Sequence, residues 1–140
     1  TSAICTSFKV EILKGVHNFT ASSGNTFNLA LYTSSASLGA ATTAYTTSNE
    51  VSGSGYTAKG NALTSVTPVA DSTTAVCDFS DTSFTSASFT ARGCMIFNDS
   101  ASGDPSVCVI DFGADKTVTS GTFTIQFPAA DASNAIVRIA

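Results

Sequence analysis

The stretch from Ser88 to Pro128 constrains the fold more than any other part of the chain. Ser88–Asn98 and Ser106–Phe112 are apolar runs of strand length, rich in β-formers, and the turn-forming cluster Asp99–Pro105 separates them. This pattern predicts a β-hairpin. A second punctuated segment, Gly113–Gly121, leads to Thr122–Phe127, where polar and apolar residues alternate until Pro128. The three runs together predict an antiparallel meander. The first two strands are apolar on both faces and belong in the middle of a covered sheet, whereas Thr122, Thr124 and Gln126 turn one face of the third toward water.

Something else must supply the cover. Thr26–Tyr32 reads as a strand with Phe27, Leu29 and Leu31 on one face. Further strands are expected over Tyr56–Thr67, Thr74–Phe79 and Ala135–Ile139, with Pro68 marking an edge or end and Asp71–Thr73 and Ser80–Ser83 as turns. Near the N-terminus, Phe8, Ile12, Val16 and Phe19 recur close to helical spacing. Thr6 or Ser7 can cap a short helix over Phe8–Lys14 that stops at Gly15, although Phe8, Val10 and Ile12 also alternate as in a strand. The sum is a mostly β chain: a two-layer antiparallel β-sandwich of about seven or eight strands with one short N-terminal helix. With 140 residues the chain reads as one domain, residues 1–140, with a tail at 1–7. Residues 33–55, dominated by Ser, Thr, Ala and Gly around Leu38, Tyr45 and Val51, read as an exposed excursion suited to meeting a partner.

Charged residues make up only 11% of the chain against 43% hydrophobic, well under half of the roughly 25% charged residues usual in a soluble domain. Hydroxyls rather than ions solvate such a surface, and sparse charge lowers the desolvation cost of association. The net charge is -4, and the six basic residues are scattered, so no nucleic-acid footprint is present. No apolar run approaches the ~20 residues of a membrane-spanning helix.

The four cysteines, Cys5, Cys77, Cys94 and Cys108, have no metal-binding spacing. Cys77, Cys94 and Cys108 lie in expected strands, where a free thiol behaves as a small hydrophobe. The alternative is a cross-strand disulfide between Cys94 and Cys108, with Cys5 available to another chain. The single histidine, His17, has no triad partners in sequence and reads as a packed turn residue. Asp78 with Asp81, and Asp111 with Asp115, are the only tempting carboxylate pairs for acid–base work or Ca²⁺. Their places at strand ends read as turn capping. With no catalytic, cofactor or metal motif, the expectation is a protein that is not an enzyme.

Three segments in order, Phe8–Phe19, Asn49–Gly60 and Asp111–Phe127, resemble a group of small virion proteins of tailed bacteriophages. The resemblance covers nearly the whole chain. Members usually carry Gly-Gly where Lys59-Gly60 stands, a Trp near Phe84, and small or aliphatic residues in place of Cys94 and Cys108. It implies a capsid decoration, or cement, subunit in the virion, assembled in the host cytoplasm. Its implied partners are the major capsid protein and neighbouring copies of itself. The N-terminal segment and the 33–55 excursion become the contact elements, with Cys5, Phe8, Tyr45 and Val51 as candidate inter-subunit residues. A tail, collar or fibre-base component is the nearest alternative. A carbohydrate-binding sandwich is an alternative of another class, although Tyr32, Tyr45 and Tyr56 without any Trp make a thin stacking platform.

Overall fold

A computed structural model describes residues 1–140 as two antiparallel sheets with one short helix. In chain order the elements are β1 (Ala3–Ile4), α1 (Thr6–Leu13), β2 (Phe27–Tyr32), β3 (Asn61–Ala62), β4 (Ser65–Asp71), β5 (Thr74–Phe79), β6 (Thr82–Asn98), β7 (Ser106–Ile125) and β8 (Val137–Ile139). One sheet has the order β1-β7-β6-β2-β3 and the other β4-β5-β8. The mostly β sandwich with an N-terminal helix follows the sequence pattern.

The core forms where the sheets face each other. All six residues of β2 are buried, because β6 and β3 flank it and both its faces are covered. Phe19 stacks on Phe27 with ring centroids 4.2 Å apart, and Phe79 from the smaller sheet meets Phe27 at 6.0 Å, so aromatic contacts join the layers. His17 is packed in the same cluster, 4.9 Å from the Phe8 ring. Its Nε2 lies 3.2 Å from Glu11 Oε1 and its Nδ1 lies 3.1 Å from the Asn98 side-chain amide. That amide donates to Nδ1, which leaves the imidazole proton on Nε2, facing Glu11. The packed-turn reading of His17 matches this placement.

The expected three-strand meander is corrected to one long hairpin. β6 and β7 run for 17 and 20 residues and pair from Thr82 opposite Ile125 to Phe97 opposite Ser106. Residues 113–121, expected as a loop, lie within β7. Gly113, with φ of 82°, lies in a register shift between Ala91 and Gly93 on the partner strand, where four residues of β7 (112–115) lie opposite the single residue Arg92 of β6. The glycine and turn formers therefore bulge a strand without ending it. A 17-residue strand spans about 55 Å, so the far half of this ribbon runs well past the short strands beside it.

Residues 1–7, expected as a tail, are also corrected. Ala3 and Ile4 pair with Val109 and Cys108, and the Cys5 amide donates to the Val107 carbonyl at 3.0 Å. Ile4 and Cys5 are apolar, and an open edge beside Cys108 and Val109 satisfies their backbone groups, so the segment docks. The helix begins at Thr6, two residues earlier than expected. Cys5 is its N-cap residue and makes no side-chain capping bond, whereas Gly15, with φ of 72°, ends it as expected. No helix is long and apolar enough to cross a membrane.

Residues 33–55 contain no strand, and much of their outer side is exposed, but the inner side is clamped. The Tyr45 amide donates to Asp104 O, Ser106 N donates to Thr43 O, and Val51 N donates to Leu31 O, all within 3.1 Å. Val51 is buried, and Leu38 and Tyr45 pack against the core. The segment forms a fixed cover over one end of the larger sheet.

Candidate interaction surface

The least satisfied part of the molecule lies between α1 and the three-stranded sheet. Phe8 anchors the helix in the core, yet the opposite side of α1 leaves Val10 half-exposed and Leu13 at 89% exposure. An eight-residue helix has only about two turns, so apolar residues at 8, 10, 12 and 13 cannot all face one neighbour. On the sheet side, β4 is an edge strand whose Val66 and Val69 are exposed, and β8 leaves Ile139 exposed at the other edge. Between them runs a groove of about 350 Å³, lined on its apolar side by Phe8, Ile12, Phe19, Val76, Val137 and Ile139. Lys9 on the helix and Lys14 just past its end are exposed and without ion pairs.

Sequence reasoning missed this surface. It used Phe8 and Ile12 as the apolar stripe and left Val10 and Leu13 without a role, although two apolar positions off the stripe are the available signal. Pro68 was legible as an edge marker. It lies in β4 at a register shift between Val66 and Val69, where a missing N–H costs no ladder bond.

A second constellation sits under residues 45–60. Glu50 accepts hydrogen bonds from the hydroxyls of Tyr45 and Tyr56, both at 2.6 Å, and from the Lys59 amide at 2.8 Å. Burial, followed by the bond to Glu50, pushes the Tyr45 phenol up to about 12 and raises Tyr56 further. Lys59 bridges to Asp99 at 2.8 Å and Asp104 at 2.9 Å, and these bonds raise its ammonium above the usual value. The Tyr56 hydroxyl oxygen also accepts from Leu31 N at 2.9 Å, and Tyr32 donates to Thr46 O at 2.7 Å. All three tyrosine hydroxyls are thus engaged within the chain. The sequence showed only turn chemistry here.

The candidate contact residues are placed as follows. Cys5 is fully buried, Phe8 and Val51 are buried, and Tyr45 is partly covered, so none of the four presents its side chain freely as an inter-subunit residue. Cys5, Phe8 and Val51 belong to the core of the single chain, and Tyr45 packs against it. Cys94 and Cys108 are not opposite each other. Cys94 faces Ile110 and Cys108 faces Ile96, two residues out of register, and all four cysteines are free. Burial pushes the Cys77 and Cys94 thiols up to about 12 and raises Cys108 as well.

The carboxylates mostly tie backbone. Asp81 Oδ1 accepts from Phe127 N at 2.9 Å, and Asp111 Oδ1 accepts from Gly113 N at 2.8 Å. Asp111 and Asp115 are brought together by Arg92, whose guanidinium lies 3.3 and 3.5 Å from them. The Gly113 bond, with help from Arg92, holds the Asp111 carboxyl below its ordinary value. No family model, curated protein or solved structure matches the chain.

Proposed function

We propose that this chain is a structural subunit of a virion, a capsid decoration protein that binds the outer shell and stabilises capsomer junctions. Its partners in this reading are the major capsid protein and neighbouring copies of itself. The observation that carries it is the set of exposed apolar side chains on α1 and the small sheet, Val10, Leu13, Val66, Val69 and Ile139, together with the apolar groove between the two elements, on a chain with 11% charged residues. An apolar patch of this kind on a surface poor in charge is suited to burial against another protein. Many identical copies then stabilise a shell collectively even where each contact is modest. The resemblance of Phe8–Phe19, Asn49–Gly60 and Asp111–Phe127 to small phage virion proteins supports the same assignment, and Lys9 and Lys14 suit a shell surface with acidic groups.

The test is co-sedimentation of purified protein with particles that lack it. The parent chain binds saturably, and Leu13→Glu together with Val69→Glu weakens binding by about tenfold or more, since each places a charge in a desolvated contact. Binding equal to the parent's in that variant, or no binding by the parent, overturns the reading.

A further inference from the structure

Sheet edges are templates for pairing with another chain, and stable proteins block them. Four outer strands here are blocked or short. β1 and β3 have two residues each and β8 has three, while β4 carries Pro68 and a register shift. The outer edge of β6 beyond the core is covered by the 53–61 segment. Ser88 N donates to Ser54 O at 2.9 Å, the Asn61 amide donates to Ser83 O at 2.9 Å, and a Cβ on Gly55 would collide with Thr85 O.

The outer edge of β7 is long and uncovered, although the strand bulges. β1 pairs with it only at Cys108 and Val109. From Lys116 to Ile125 no strand lies beside it, no proline interrupts it, and Lys116 is its one charged residue. Its two faces are sharply different. Thr117, Thr119, Thr122 and Thr124 are exposed, whereas Val118, Phe123 and Ile125 are half-buried, and Phe112, Phe123 and Ile125 line an open hollow.

We propose that Lys116–Ile125 is the contact through which two copies of this chain pair, edge to edge and antiparallel, about a two-fold axis between Ser120 and Gly121. The segment reads nearly the same from both ends: Thr-Val-Thr-Ser and, reversed, Thr-Phe-Thr-Gly. The axis therefore sets Thr117 opposite Thr124 of the second copy, Val118 opposite Phe123, and Thr119 opposite Thr122. Residues five apart, as Val118 and Phe123 are, share a face only because the strand bulges between them, at Ser120 with φ of 47°. With that bulge, apolar meets apolar and threonine meets threonine, the pairs that favour strand association.

Two further observations point to a second copy. Thr117 already bonds Thr90 through their hydroxyls, and Thr124 bonds Ser83, each at 2.9 Å. Self-pairing extends these rows of hydroxyls across the interface. The charge pattern is also compatible: the axis brings Lys116, which has no ion pair within its own chain, beside the uncharged Ile125 of the other copy, so no like charges meet across the seam.

The inference names the self-contact of the subunit proposed above and rests on that subunit being one that assembles. Sedimentation velocity on the purified chain, with hydrogen exchange of the β7 amides, tests it apart from any particle. The parent sediments as a dimer with protected outer amides in β7. Thr119→Lys with Thr122→Lys, which sets like charges opposite each other at both exposed positions, gives a monomer with unchanged circular dichroism. Thr119→Lys with Thr122→Asp restores the dimer. A monomeric parent, a dimer that survives the double lysine variant, or a monomeric Lys/Asp variant overturns the proposal. A parent chain that is a dimer but does not bind particles leaves this pairing standing while the virion reading fails.

Discussion

Glu50 sets the conformation of a whole segment through one carboxylate. Two phenols and a backbone amide converge on it, and hydrogen bonds to an ionised acceptor are the stronger kind. Glu50→Ala leaves Tyr56 without that partner in a largely buried setting and lowers unfolding free energy by about 2–3 kcal/mol, read from urea denaturation. An unchanged midpoint would contradict the role assigned to the carboxylate. Asp111 gives a pH signature of a different kind. Its folded-state carboxyl is held below the ordinary 3.8, so its contribution is fully present above that value and disappears as pH falls through the lower folded one. Asp111→Asn keeps the turn acceptor and removes the charge. Acid unfolding curves of the variant therefore fall less steeply below 3.8 than those of the parent; parallel curves would show that Asp111 is not coupled to folding.

At the scale of elements, the alternating and apolar runs of Thr26–Tyr32 and Thr74–Phe79 were legible because burial on one or both faces leaves a period in the sequence. β5 is found over the residues expected. The Gly113–Gly121 segment was misread for a specific reason: glycines, Asp and Ser mark bulges as readily as turns, and only the partner strand decides which. Phe84 opposite Phe123 is that partner contact, 39 residues apart in the chain. The closed cover over β2 was equally hidden, since nothing local in Lys59-Gly60 states that Gly60 must lie against Leu29. Gly60 has φ of 66°, and a Cβ there would overlap the Leu29 carbonyl. Gly60→Ala therefore destabilises the fold by about 2 kcal/mol or more, visible as a lowered melting temperature. A variant as stable as the parent would show that the backbone there relaxes freely. The exposed side of α1 was not read as a surface, because an eight-residue helix is too short for its period to separate stripe from remainder.

For the whole molecule, composition carried more than any motif. Ser, Thr and Ala surfaces with few charges suit a chain that buries area against neighbours, and the proposals above put that contact at the groove beside α1 and the open edge of β7. Cys5, Phe8 and Val51, expected as contact residues, fill the interior of the single chain. Rigid clamping of residues 33–60 by Glu50, Lys59 and the Tyr45 backbone gives the subunit a fixed shape from which such faces can be presented without an ordering cost on binding. The most direct test of the virion assignment is cryo-electron microscopy of the intact particle that carries this chain. The account predicts density for the sandwich recurring over the icosahedral shell at capsomer junctions, with α1 and β4 toward the shell. Density confined to the tail or to a single vertex would contradict the decoration role.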